Sequence, residues 1–161
     1  PRAGGGVTMK ILAIDPGTKR TGYAVLEMNG RTPALSECGC VFVRGKDLPE
    51  RLLHIHKGIE RLFRRHRPAH VVIERPFVGK SVRDAMTLNA GRAVCMLAAA
   101  ASRARVFDYA PAQVKKAATG NGQASKEQVQ RMVAALLRLK ETPPPDAADA
   151  IALALCHVNR L

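Results

Sequence analysis

Four carboxylates in this sequence stand where a globular chain seldom leaves an acid. Asp15 closes the apolar run Ile11-Leu12-Ala13-Ile14, and Glu74 closes Val71-Val72-Ile73. Short apolar runs bounded by Pro or Gly read as buried strands. Both acids therefore fall at the carboxyl end of a strand, the rim where open α/β sheets bind their ligands. Asp146 and Asp149 are three residues apart at the mouth of the apolar stretch Ala147 to Leu155, so one helix turn carries them on one face. Each acid also has an ordinary explanation. Asp15 could serve the turn at Pro16-Gly17, and Glu74 could pair with Arg75, although neighbours on a strand face opposite sides. The two aspartates suit a helix cap and its dipole. Taken together, however, four acids at one rim would repel one another and rise in pKa unless a cation met them. Oxygen-only donors suit Mg²⁺ or Mn²⁺ rather than Zn²⁺. Two such ions about 4 Å apart can activate water and stabilise the leaving oxygen of a phosphodiester displacement.

The rest of the composition names a polyanionic partner. Lys and Arg number 26 against 13 Asp and Glu, a net charge of +13, which points to nucleic acid. No charge-free apolar run is long enough to span a bilayer and no separate basic amphipathic anchor is visible, so no membrane partner is expected. A basic chain around an acidic, metal-binding pocket reads as a nuclease. Candidate DNA contacts lie in two loops. Phe77, one of only six aromatics, sits in the basic segment Arg75 to Arg83 with Lys80. Its ring could stack on an unpaired base or plug the core beneath the loop; Lys80 could meet a phosphate or remain solvated. Lys115 and Lys126 flank Gly120-Asn121-Gly122 and carry the same two readings. There is no GxxxxGK[ST] nucleotide loop and no GxSxG.

Cys38, Cys40, Cys95 and Cys156 form no CxxC pair, and Cys95 and Cys156 lie in apolar patterns as small hydrophobes. This suits a reducing cytosol. Among the five histidines no metal-ligand spacing occurs; His54 and His56, two apart on a helix, diverge and are expected at the surface.

The elements that must position these groups can be read in order. Pro1 to Thr8 is Gly-rich and aperiodic, expected as a disordered leader or expression remnant, with one nuclease domain from Met9 to Leu161. Strands are expected at Lys10–Ile14, Thr21–Glu27 and Leu35–Val43, the last two joined at Asn29-Gly30. Helical spacing follows over Leu48–Arg67, then strand Val71–Glu74. The Ala-rich helix Ala85–Ser102 shows a stripe of Met86, Ala90, Ala93, Val94, Leu97, Ala98 and Ala101 for the sheet or a twin subunit. Strand Val106–Tyr109, a short helix opened by Pro111, a helix capped by Ser125 and running to Leu139, and the helix begun at Asp146 complete the chain.

The stretches IDPGTKRTGYAV, VVIERPF, YAPAQVKKAATGNGQASKEQVQRMV and PPPDAADAIALALCH follow one another between Met9 and about Val158. Together they resemble the RuvC family of bacterial Holliday junction resolvases. The resemblance implies an α/β, ribonuclease-H-like fold with a mixed five-stranded sheet flanked by helices, working as a homodimer in the bacterial cytoplasm. It makes Asp15, Glu74, Asp146 and Asp149 the catalytic metal-binding acids, with Mg²⁺ or Mn²⁺ as cofactor. Phe77 becomes the aromatic that stacks on a base at the opened crossover, and Lys115 and Lys126 become contacts to the DNA backbone. It also implies paired symmetric nicks in a four-way junction, ends carrying 5′-phosphate and 3′-hydroxyl, and RuvA and RuvB branch-migration proteins as partners. The alternatives are a YqgF-like RNA-processing nuclease of the same fold, a non-catalytic DNA-binding protein, and a sugar-kinase-like or actin-like ATPase. The last needs two such domains and far more chain.

Overall fold

The computed structural model describes residues 8–17, 19–76 and 81–161. Most of the expected leader, together with Phe77 and Lys80, lies outside them. The elements run β1 (Met9–Asp15), β2 (Arg20–Asn29), β3 (Thr32–Phe42), α1 (Leu48–His66), β4 (His70–Glu74), α2 (Val82–Ala101), β5 (Arg105–Tyr109), α3 (Pro111–Thr119), α4 (Lys126–Leu136) and α5 (Pro145–Val158). One mixed sheet has the order β3-β2-β1-β4-β5. β1, β2 and β3 pair antiparallel, while β4 and β5 extend the sheet in parallel from β1.

Alternation along β1 decides the two faces. Leu12 and Ile14 point toward α1 and α2 with Val25, Val71 and Ile73, whereas Ile11 and Ala13 point toward α3, α4 and α5 with Ala24, Leu26 and Val72. The central strands are buried on both sides, which is why β1 and β4 read as continuous apolar runs instead of alternating ones. Each fully buried Ile or Leu contributes about 1.5–3 kcal/mol relative to exposure, and Ile11, Leu12, Ile14, Leu26 and Ile73 are all sealed from solvent. The β2–β3 hairpin turns at Gly30, whose φ of 63° is the left-handed conformation that glycine accepts without strain. A bulge at Ser36, where pairing jumps from Val25–Glu37 to Leu26–Leu35, bends this edge.

Three expectations change. α4 ends at Leu136, three residues early, because Arg138 turns left-handed (φ 50°) and so lays Leu137 and Leu139 on the core. α2 begins at Val82, capped by Ser81, and its anticipated stripe divides. Ala85, Gly91, Cys95, Ala98 and Ala99 are the buried face, while Met86 and Leu97 are 69% and 65% exposed. An Ala-rich helix is apolar nearly all round, so spacing alone cannot say which side meets the protein. His54 and His56 are half-buried rather than on the open surface, and His66, His70 and His157 are buried. No disulfide links the four cysteines. Among the described residues, no helix is long and apolar enough to cross a membrane.

Candidate active site

The parallel register Ile14–Ile73 carries β1 and β4 out of the sheet side by side, so Asp15 and Glu74 emerge as neighbours at their carboxyl ends. α5 lies across β1 and β2 and presents its first turn to the same rim. The contact is close because Gly22, opposite Asp15 in the antiparallel ladder, has no Cβ; a Cβ there would overlap the Asp146 carbonyl oxygen. Gly22 thus admits the helix that brings Asp146 and Asp149 to Asp15. The N-cap of α5 is Pro144 and no side chain caps it, so Asp146 does not perform the capping role that its position suggests. Its place in the first turn still suits the helix dipole.

The electrostatics show how tightly three of the acids are gathered. Burial is the largest cause lifting Asp15 to about 6, followed by the charge of Asp149. Burial also leads for Glu74, pushed up to about 8, with the Asp15 charge next. The two carboxyls share a hydrogen bond that favours ionised Asp15 and protonated Glu74, so near neutrality Glu74 donates to Asp15. Asp149 is raised too, mainly by burial and then by the charge of Asp146, against the nearby charges of Lys126 and Lys115. Lys126 Nζ stands 3.7 Å from Asp149 Oδ2. Two of the lysines singled out in the sequence therefore bring positive charge toward the same acid, Lys126 as an ion pair and Lys115 at longer range. Lys115 is carried by α3, which Pro111 opens, and Lys126 by the first turn of α4, where Ser125 and Gln128 close a capping box.

Beside Asp15 and Glu74 a cavity of about 220 Å³ is lined by Arg75, Leu88, Arg92 and Pro111. Arg75 and Arg92 each donate to Asp108, at 2.9 and 2.8 Å, tying the loop after β4 and helix α2 to β5. Arg75 therefore pairs with Asp108 rather than with Glu74, as strand alternation requires. Sequence reading missed Arg92, Asp108 and also Arg20, which approaches Asp146 Oδ2 to 3.6 Å. Nothing in their spacing marks them, since each acts through a partner distant in sequence.

Among the described residues, no three His, Cys, Asp or Glu side chains are gathered tightly enough to enclose one ion. Asp15 and Glu74 face each other, whereas Asp146 and Asp149 are each drawn toward a cation. The chemistry available is nonetheless clear. All four donors are oxygens, two of them are kept partly uncharged by burial and mutual repulsion, and a hard divalent cation is the charge that would reverse those shifts.

Comparison with known proteins gives the arrangement its context. Residues 11–157 match the family described as crossover junction endodeoxyribonuclease RuvC. A crossover junction endodeoxyribonuclease RuvC of Pelotomaculum thermopropionicum is 45% identical over 153 residues, 94% of this chain and 93% of that relative. The structure of Thermus thermophilus RuvC superposes with a TM-score of 0.82 at 33% identity, covering 92% of this chain and 93% of the other. T. thermophilus RuvC in complex with a Holliday junction substrate superposes at 0.84, with 33% identity and 92% of both chains covered. Among the described residues, the mixed five-stranded sheet with its five helices is the ribonuclease-H-like architecture that the sequence motifs imply. By both sequence and fold, the chain belongs to the RuvC family of crossover junction endodeoxyribonucleases.

Proposed function

We propose that this chain resolves Holliday junctions by paired, symmetric, metal-dependent nicks that leave 5′-phosphate and 3′-hydroxyl ends. The observation that carries the reading is the convergence of Asp15, Glu74 and Asp149, with Asp146 beside them, at the rim of the sheet in a chain of net charge +13. A single nuclease domain from Met9 to Leu161 is the proposed unit of this activity.

Asp15, Glu74, Asp146 and Asp149 would hold Mg²⁺ or Mn²⁺, two ions per site, and the donor set fits such hard cations. When bound, the ions supply an activated water and stabilise the departing oxygen. The chain's own residues do the rest. Asp15, ionised near neutrality and fed a hydrogen bond by Glu74, offers the first ready ligand. The Glu74 proton has to leave for that carboxyl to coordinate. Lys126 and Lys115 place positive charge beside Asp149 and on the path of the DNA backbone, where it offsets phosphate repulsion. Phe77 and Lys80 keep their proposed contacts, base stacking and phosphate, by their position in the motif that follows Glu74.

Two equal cuts call for two equal sites, which an isologous dimer supplies. The exposed apolar side of α2, with Val82, Met86, Met96 and Leu97, suits such an interface. RuvA and RuvB are the proposed partners and the bacterial cytoplasm the proposed location; no membrane contact is invoked.

Cleavage of a synthetic four-way junction with Mg²⁺ or Mn²⁺, run beside linear duplex and RNA of equal sequence, tests this reading. Paired ligatable nicks confined to the junction are expected. Cutting of linear DNA or RNA instead would move the activity to another nuclease of the same fold.

A further inference from the structure

Asp146 differs from the other three acids in what surrounds it. It is the weakest of the neighbouring acids acting on Asp15, and two groups from the sheet edge hold it. Arg20 Nη1 lies 3.6 Å from Asp146 Oδ2, and Cys40 Sγ donates to the same oxygen at 3.9 Å. Arg20 does not stand alone. It pairs with Phe42 on the first rung of the β2–β3 ladder, and its guanidinium lies 5.5 Å from the centre of that ring. Phe42 is 57% exposed, an odd place for a large apolar ring unless it serves as a platform.

We propose that Arg20 is a positioning residue that holds Asp146 apart from Asp15 and Glu74 until a divalent cation displaces it, whereupon the guanidinium, kept at the rim by Phe42, meets a backbone phosphate of the DNA. The proposal rests on the metal-site reading above. Three physical points support it. First, a guanidinium and a hard dication compete for the same carboxylate oxygens, because both are satisfied by unshared electron pairs on oxygen. Second, the pair is solvent-exposed, with side chains 59% and 36% accessible. Pairs of that kind bias an equilibrium only a few-fold, so the contact is readily exchanged. Third, once Asp146 turns to a dication, Arg20 loses its counter-charge beside a strongly positive centre. The nearest anion it can then reach in a complex is a phosphate of the bound strand, which guanidinium matches in shape. The other two β2–β3 edge groups cannot play this part, since Cys40 carries no positive charge and Phe42 has no polar atom.

Calorimetric titration of Mn²⁺ into the full chain without DNA is the test. Arg20→Leu should tighten Mn²⁺ binding about 2- to 5-fold, Arg20→Lys should stay near the parent, and Phe42→Ala should move partway toward Arg20→Leu. In junction cleavage, Arg20→Leu should raise KM while keeping kcat, and it should reduce the slope of log(kcat/KM) on log salt by about 1. Asp146→Asn separates the two levels of inference. If Asp146→Asn weakens Mn²⁺ binding but Arg20→Leu leaves it unchanged or weaker, the role of Arg20 is overturned and the metal site stands. If Asp146→Asn leaves Mn²⁺ binding unchanged, the metal-site reading falls and the Arg20 proposal with it. A lowered kcat at unchanged KM in Arg20→Leu would overturn the phosphate half.

Discussion

The first turn of α5 brings Asp146 and Asp149 to the carboxyl rim of the sheet, and near its last turn the same helix buries His157 against β4 and β5. Both ends gather ionisable groups against the sheet, yet they are treated in opposite ways. At the histidine end, Nδ1 of His157 meets the Tyr109 hydroxyl and Nε2 meets His70 Nδ1, both at 2.9 Å. Phe107 packs against both imidazoles, with ring centres 4.3 Å from His157 and 4.9 Å from His70. Neutral imidazole supplies one donor and one acceptor, so the group is satisfied without charge. Burial leads in pushing His157 down to about 4, with His70, Arg105 and Arg160 adding to it. At the acid end the carboxyls have too few internal partners, and their affinity for protons rises instead. A polar cluster that completes itself is structure; one that remains short of positive charge is prepared for a ligand.

This contrast can be broken in order of effect. Asp15→Asn should reduce junction cleavage at least about 10³-fold while leaving the fold unchanged and junction binding equal or tighter, because one fewer negative charge faces the phosphates. Circular dichroism and a gel-shift titration beside the cleavage assay check this, and retained cutting would remove Asp15 from the site. His157→Ala should do the reverse. It should cost about 2–4 kcal/mol and lower Tm by about 5–15 °C, with kcat of the folded fraction preserved. A stable His157→Ala protein that no longer cuts would erase the distinction between the two ends.

The pH dependence of stability gives a smaller and sharper test in metal-free buffer. Glu74 binds its proton more tightly folded (about 8) than in its ordinary state (4.5), and Asp15 likewise (about 6 against 3.8). The folded state then holds more protons than the unfolded one, so these acids lose the fold stability as pH rises from about 4 to 8. His157 has the opposite sign. Its folded value of about 4 lies below the ordinary 6.5, so its contribution is fully present above about 6.5 and is lost as pH falls toward 4. Glu74→Gln should therefore raise Tm by about 2–8 °C at pH 8 and much less at pH 5. A Tm gain equal at both pH values would show that Glu74 is not held protonated by its surroundings.

Much of this was legible before any coordinates. Asp15 and Glu74 declared themselves because an acid ending an apolar run is costly without a partner, and strand direction follows from chain order and loop length. The spacing of Asp146 and Asp149 placed them on one helix turn. Lys115 and Lys126 were picked out by flanking a Gly-rich joint, although the ion pair of Lys126 with Asp149 was not apparent. The α2 stripe could not be assigned to the sheet or to a twin subunit because Ala, Met and Leu recur on more than one side of that helix; the structure turns Ala85, Gly91, Cys95, Ala98 and Ala99 inward and leaves Met86 and Leu97 exposed. The buried trio of His70, Tyr109 and His157 was not foreseen, because burying a neutral imidazole requires only two matched neighbours and these residues are scattered over 88 residues of sequence.

By itself, then, the sequence determined the α/β class and the family and marked the strands and the four candidate acids, since each rests on local pattern or on residues in fixed order. The tertiary structure decided which groups face one another: Gly22 making room for Asp146, Arg20 and Lys126 taking one aspartate each, Asp108 tying two arginines, and His157 completed by Tyr109 and His70. The reason is physical. Strand and helix periods are written in neighbouring residues, but the pairing of charges depends on how separate elements pack, and no local spacing encodes that contact.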